Sequence, residues 1–120
     1  MAADFNIKKK DSSPALRVIL QDDAGNAIDL TNASGVNFHM YLKDDFPGGV
    51  IKVEAAADVV NAPGTDGVVE YAWETDGSDT DETGVYYGEF EVTWSAGGRT
   101  TFPNYTYLVI SIIDDLDEDV

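Results

Sequence analysis

The segment 84–94 alternates without a break, Tyr86, Gly88, Phe90, Val92 and Trp94 on one side and Val85, Tyr87, Glu89, Glu91 and Thr93 on the other. A repeat of two puts successive side chains on opposite faces of a strand, and no helix can gather that stripe onto one side. The two glutamates set the sense: their face meets water, and the Tyr86–Trp94 face points inward. Residues 15–21 repeat the pattern with Leu16, Val18 and Leu20, and residues 35–43 with Val36, Phe38, Met40 and Leu42. Both read as half-buried strands.

The turn Ser95-Ala96-Gly97-Gly98 predicts a hairpin from the long strand into 99–102. Pro103 and Asn104 then interrupt the ladder, and 105–113 resumes with nearly continuous apolar character. Weaker strands are expected at 5–9, 28–30, 50–53, 59–61 and 68–73, separated by loops rich in Asp, Asn, Gly and Pro. Glu54-Ala55-Ala56-Ala57 alone has helical character, and it is too short to stand as a helix. About seven to nine short strands with frequent turns indicate an all-β chain, an antiparallel β-sandwich. One domain is expected over 1–113, followed by an acidic, disordered tail over 114–120. Where Asp81-Glu82-Thr83-Gly84 enters the long strand, Tyr86 resembles the tyrosine corner of immunoglobulin-like sandwiches, its hydroxyl bonding upstream backbone. Tyr86, Phe90 and Trp94 are accordingly read as structural.

Charge sets the second constraint. Asp and Glu number 23 against 7 Lys and Arg, a net charge of −16, while the hydrophobic fraction is 43% and aromatics make up 11%. Enough apolar surface is present to fold despite the repulsion, so the acid belongs on a folded surface. At about 0.15 M salt that repulsion acts over roughly 8 Å, and at molar salt over only about 3 Å. Sixteen Asp against seven Glu, with lysine scarce outside Lys8, Lys9 and Lys10, point to a halophilic source rather than an acidic mesophilic protein. The same charge opposes binding to nucleic acid and to anionic membranes. With no cysteine there is no disulfide and no thiolate metal site. Neither an export signal nor a membrane-spanning segment is visible, and synthesis as a soluble cytoplasmic product is the expectation.

Chemistry-bearing constellations are sparse. His39 stands alone on the polar face of a strand, and the acids cluster in turns where water keeps them ionised, so no catalytic residues are assigned and no enzyme is expected. The loop 76–82 offers Asp76, Asp79, Asp81 and Glu82, hard oxygen donors of the kind calcium prefers, although their spacing is not that of an EF-hand. No other cofactor is indicated. Asn32-Ala33-Ser34 and Asn104-Tyr105-Thr106 match the glycosylation acceptor pattern, read as chance without export. Trp73, Trp94, Tyr87, Tyr105 and Tyr107 are candidates for stacking on a sugar. Lys8, Lys9 and Lys10 form the one concentrated positive charge and are candidates for contact with an acidic partner.

One order of motifs goes beyond composition. Phe5-Asn6-Ile7-Lys8-Lys9-Lys10-Asp11 precedes Pro14-Ala15-Leu16-Arg17-Val18-Ile19-Leu20, the turn Asp22-Asp23-Ala24-Gly25-Asn26 leads to Asp29-Leu30-Thr31, and Val36-Asn37-Phe38-His39-Met40 follows. With Gly84-Val85-Tyr86-Tyr87-Gly88-Glu89-Phe90-Glu91-Val92-Thr93 and Arg99-Thr100-Thr101-Phe102-Pro103, this series resembles the N-terminal sandwich domain of phage baseplate upper proteins. The resemblance covers nearly the whole chain and lacks the stalk and receptor-facing parts. It implies an immunoglobulin-like, non-enzymatic structural component of a tailed virus particle, a connector, decoration or attachment module on the tail or baseplate, neck or head. Its implied partners are other virion proteins and further copies in a symmetric assembly, and its implied location is the virion. The alternative is a surface adhesion or carbohydrate-binding module.

Overall fold

The long alternating segment is the centre of the molecule. In the computed structural model, which describes residues 3–45, 48–104 and 106–116, eight strands run in the order β1 (Phe5–Lys8), β2 (Leu16–Ile19), β3 (Ala33–Leu42), β4 (Val53–Val59), β5 (Val68–Tyr71), β6 (Gly84–Trp94), β7 (Arg99–Phe102) and β8 (Leu108–Ile113). Single 3₁₀ turns occupy Lys43–Asp45 and Ser78–Thr80. Along one side of β6 lies β3, antiparallel over its whole length. The other side is shared, β8 pairing with Gly84 to Gly88 and β7 with Phe90 to Thr93. From edge to edge the path is β1-β8-β6-β3-β4-β5-β2.

The path bends at β4. Its first part pairs with β3, and its last residues Asp58 and Val59 pair with β5, so one strand belongs to both layers of an all-β sandwich that approaches a barrel. Phe38 lies between the layers, fully buried, 4.9 Å from the ring of Tyr71 and 5.0 Å from that of Phe90. Leu16, Val69 and Tyr71 from one layer and Val92, Ile110 and Ile112 from the other complete the centre of the core. Burial of each large side chain of this kind is worth about 1.5–3 kcal/mol. Gly88 makes the close fit possible: a Cβ there would lie 2.7 Å from Ile110 Cδ1 and 3.0 Å from Phe38 Cε1.

Three expectations need correction. The sandwich is not wholly antiparallel, because β1 pairs in parallel with β8, Phe5 opposite Ile110 and Ile7 opposite Ile112. Alternation marks a strand but carries no direction, and no turn joins these two strands to fix one. Next, the strands expected at 50–53 and 59–61 are replaced by the single strand β4, which runs straight through the alanines of the helix-like stretch. Val53, Ala55 and Ala57 sit opposite Met40, Phe38 and Val36, and this pairing outweighs the helix preference of a run of alanines too short to nucleate a helix. Lastly, 28–30 is no strand: Leu30 is buried in the core, while Asp29 Oδ1 accepts from the amide and hydroxyl of Thr31 in a tight turn. The start expected at Tyr105 for the last strand lies outside the described residues, and β8 begins at Leu108.

Candidate functional site

The acidic loop resolves into separate jobs. Asp79 turns inward, 8% exposed, and its Oδ2 accepts from the Tyr71 hydroxyl at 2.7 Å and the Glu74 amide at 2.9 Å. Burial, and then this bond to Asp79, push the Tyr71 phenol well above its ordinary value. Asp76 accepts from the Ser78 amide, and its bonds to the Ser78 hydroxyl and amide hold its carboxyl below the usual range. Asp81 pairs with Lys52. Glu82 contributes its backbone carbonyl, which accepts from the Tyr86 hydroxyl at 2.7 Å, four residues upstream, in the arrangement of a tyrosine corner. Among the described residues no three His, Asp or Glu side chains gather as metal ligands.

The basic run is stitched to that loop. The Lys10 amide donates to the Thr80 carbonyl, and the buried Thr80 hydroxyl donates to the Asp11 carbonyl, both at 2.8 Å. Lys10 has a left-handed backbone, φ 68°, and Gly77 at φ 79° packs against it so closely that a Cβ would meet the Lys10 carbonyl oxygen at 3.1 Å. The Lys9 amide donates to the Ile113 carbonyl, and Lys8 Nζ reaches the Asp114 carbonyl at 3.5 Å. Lys8 and Lys10 are exposed and Lys9 half-buried. Elsewhere Asp22, Asp29 and Asp66 cap turns, each held below the ordinary carboxylate range chiefly by its bond to Asn26, Thr31 and Asn61 respectively.

Of the aromatic candidates, Trp73 is buried, its Nε1 donating to the Pro14 carbonyl at 3.1 Å. Trp94 is half-buried against the core and donates to Thr100 Oγ1 at 3.0 Å. Tyr105, and with it the middle of the second acceptor pattern, lies outside the described residues, as do 117–120 of the acidic tail and Phe46 and Pro47. Tyr87 and Tyr107 do come together, their rings stacked at 5.0 Å and 22°.

Around that stack the register assembles a site that no local spacing announced. His39 faces out from β3 directly opposite Glu54 of β4 and Glu89 of β6, with Nε2 3.9 Å from one carboxylate and Nδ1 3.8 Å from the other. One step along, Tyr41 stands opposite Tyr87. His39, Tyr41, Tyr87, Gly88, Glu89 and Tyr107 line a small cavity of about 110 Å³. A larger groove of about 380 Å³ runs beside β2, with Val18, Leu20, Phe102, Pro103 and Leu108 along it and Asp22 and Asp23 on its wall. Among the described residues β2 pairs with β5 as its one neighbouring strand, and just past it Gln21 bridges Ala27 and the Leu20 carbonyl accepts from the Ile28 amide. No helix among them is long and apolar enough to cross a membrane.

In overall fold the chain is similar to CopC from Methylosinus trichosporium OB3b, with a TM-score of 0.54 over 97% of this chain and 89% of that one, at 12% identity. Identity at that level speaks to the β-sandwich architecture alone. No protein-family model matches the chain, and no curated protein matches it in sequence.

Proposed function

We propose that this chain is a non-enzymatic structural component of a tailed virus particle of a halophilic host, a connector, decoration or attachment module that works by contact with other virion proteins and with its own copies. The observation that carries the reading is the edge position of β2, whose residues 16–19 have β5 as their one neighbouring strand among the described residues, beside a groove lined by both apolar and polar side chains. An unpaired strand edge offers backbone donors and acceptors in register, and an adjoining groove accepts the side chains of an added strand. Short edges of this kind let a small domain gain, through repeated contacts, stability that one copy lacks. The resemblance of the motif order to that of baseplate upper proteins is the second support for this reading. The polar side chains are largely spent on the fold: Asp79, Tyr71, Thr80 and Tyr86 hold loops to strands.

Mass spectrometry of purified virions, with stoichiometry, tests this. A fixed copy number is expected, few copies placing the chain on the tail or neck and hundreds on the head, whereas absence from intact particles overturns it. The halophilic part stands on a separate measurement, a melting midpoint that climbs between roughly 0.1 and 3 M potassium chloride as repulsion is screened. A flat or falling midpoint ends it.

A second reading, an adhesion or carbohydrate-binding module, draws on the stacked Tyr87 and Tyr107 rings. Trp73 and Trp94 lend it nothing, since the interior and Thr100 already engage them.

A further inference from the structure

The cavity over Gly88 has a composition that neither reading requires. Tyr41 from β3, Tyr87 from β6 and Tyr107 just before β8 bring three phenol rings to one small space, and Glu89 adds a carboxylate at its side. Glu54 lies one strand further, beyond His39. The faces of aromatic rings are electrically negative and attract cations, and groups of such rings hold quaternary and methylated ammonium ions in this way. Among the described residues no lysine or arginine lines the cavity, and His39 at its side lies between the carboxylates of Glu54 and Glu89. A net charge of −16 raises the local concentration of any cation before it arrives.

Size narrows the ligand. The cavity has a volume of about 110 Å³. That lies well below the roughly 300 Å³ at which pockets begin to enclose drug-sized molecules, so a sugar ring is too large to be enclosed and one head group is not. Hard metal ions need several oxygen ligands, and among the described residues the cavity supplies one carboxylate between mostly aromatic walls. An anion would meet Glu89. A cation whose charge is spread under methyl or methylene groups satisfies both walls, apolar on the rings and charged toward the carboxylate.

We propose that this cavity binds an alkylated ammonium group, with the stacked pair Tyr87 and Tyr107 as one aromatic wall, Tyr41 as another and Glu89 as the counter-charge. The site stands independently of virion membership. The same chemistry is offered by a free methylated amine and by a lysine side chain of a partner protein.

The test is a titration of the full chain with tetramethylammonium chloride at constant ionic strength, followed by tyrosine ring resonances. Saturable shifts at Tyr41, Tyr87 and Tyr107 are expected, with a dissociation constant on the order of 1–10 mM. Tyr107→Leu, in a residue outside the strands, and Glu89→Gln should each weaken binding by about three- to tenfold. Neutral 2,2-dimethylpropanol, similar in shape, should bind far less. Choline and a short peptide carrying trimethyl-lysine or lysine separate the sources: tighter choline binding marks a free amine, tighter peptide binding a partner's side chain. The proposal is overturned if the shifts grow linearly and sodium produces them equally, if the neutral analogue or glucose binds as well, or if both variants bind unchanged.

Discussion

The loop 76–82 and the outward face of β3 and β6 make opposite uses of their polar residues. The loop is dense in carboxylates along the chain, yet they diverge in space, Asp79 into the core, Asp76 onto Ser78 and Asp81 onto Lys52. On the sheet face the relevant groups come from three separate strands, and register draws Glu54, His39 and Glu89 into one row beside Tyr41 and Tyr87. Density along a loop says little about a site, because a turn spends its carboxylates on its own amides. Cross-strand pairing builds one from residues that look like ordinary outward positions.

Removing Asp79 should have the largest effect on this contrast. Asp79→Ala leaves the buried Tyr71 hydroxyl and the Glu74 amide without their acceptor, and a loss of about 2–4 kcal/mol in urea unfolding is expected. If it costs no more than Asp76→Ala, the loop is not built around an inward carboxylate. Tyr86→Phe comes next, deleting the bond to the Glu82 carbonyl for about 1–2 kcal/mol, visible as a shift of the urea midpoint at unchanged slope.

Alkaline pH probes the same two tyrosines. Burial and the neighbouring Glu82, Asp81 and Asp45 push the Tyr86 phenol up to about 12, and Tyr71 is raised as well. A phenol kept neutral by the fold contributes fully below its unfolded value near 10, and the contribution is lost as pH rises through the folded value. Tyrosinate absorbance should therefore show two groups that titrate late, together with unfolding; their early, reversible titration in the folded protein would break the account. The smallest effect belongs to the sheet face. His39→Gln and Glu89→Gln should each move stability by no more than about 0.5 kcal/mol, since neither group holds a loop or fills the core. A loss as large as that of Asp79→Ala would make the face part of the fold.

What the chain discloses follows from range. The strand β6 is legible to the residue because its two faces differ in kind, and the corner at Tyr86 is legible because its partner lies four positions away. The alanines of β4 mislead because their own preference is for helix, while their strand identity comes from Val36, Phe38 and Met40 across the sheet. The parallel pairing of Phe5 with Ile110 is set by packing between distant segments. Asp79 looks like its neighbours in 76–82, since a loop has no period to mark which carboxylate turns inward. Tyr87 and Tyr107 stand out as aromatics, but Tyr41 and the two glutamates beside His39 join them only once the register of three strands is known.

Both regions can be watched at once in a single isotope-labelled sample titrated with calcium chloride and then with tetramethylammonium chloride at fixed ionic strength. Resonances of Tyr41, Tyr87 and Tyr107 should shift saturably with the organic cation, while the amides of 76–82 respond to calcium no more than to sodium of equal ionic strength. Saturable calcium shifts confined to 76–82, with the tyrosine face indifferent to both cations, would contradict the assignment of the loop to the fold and of the face to a ligand.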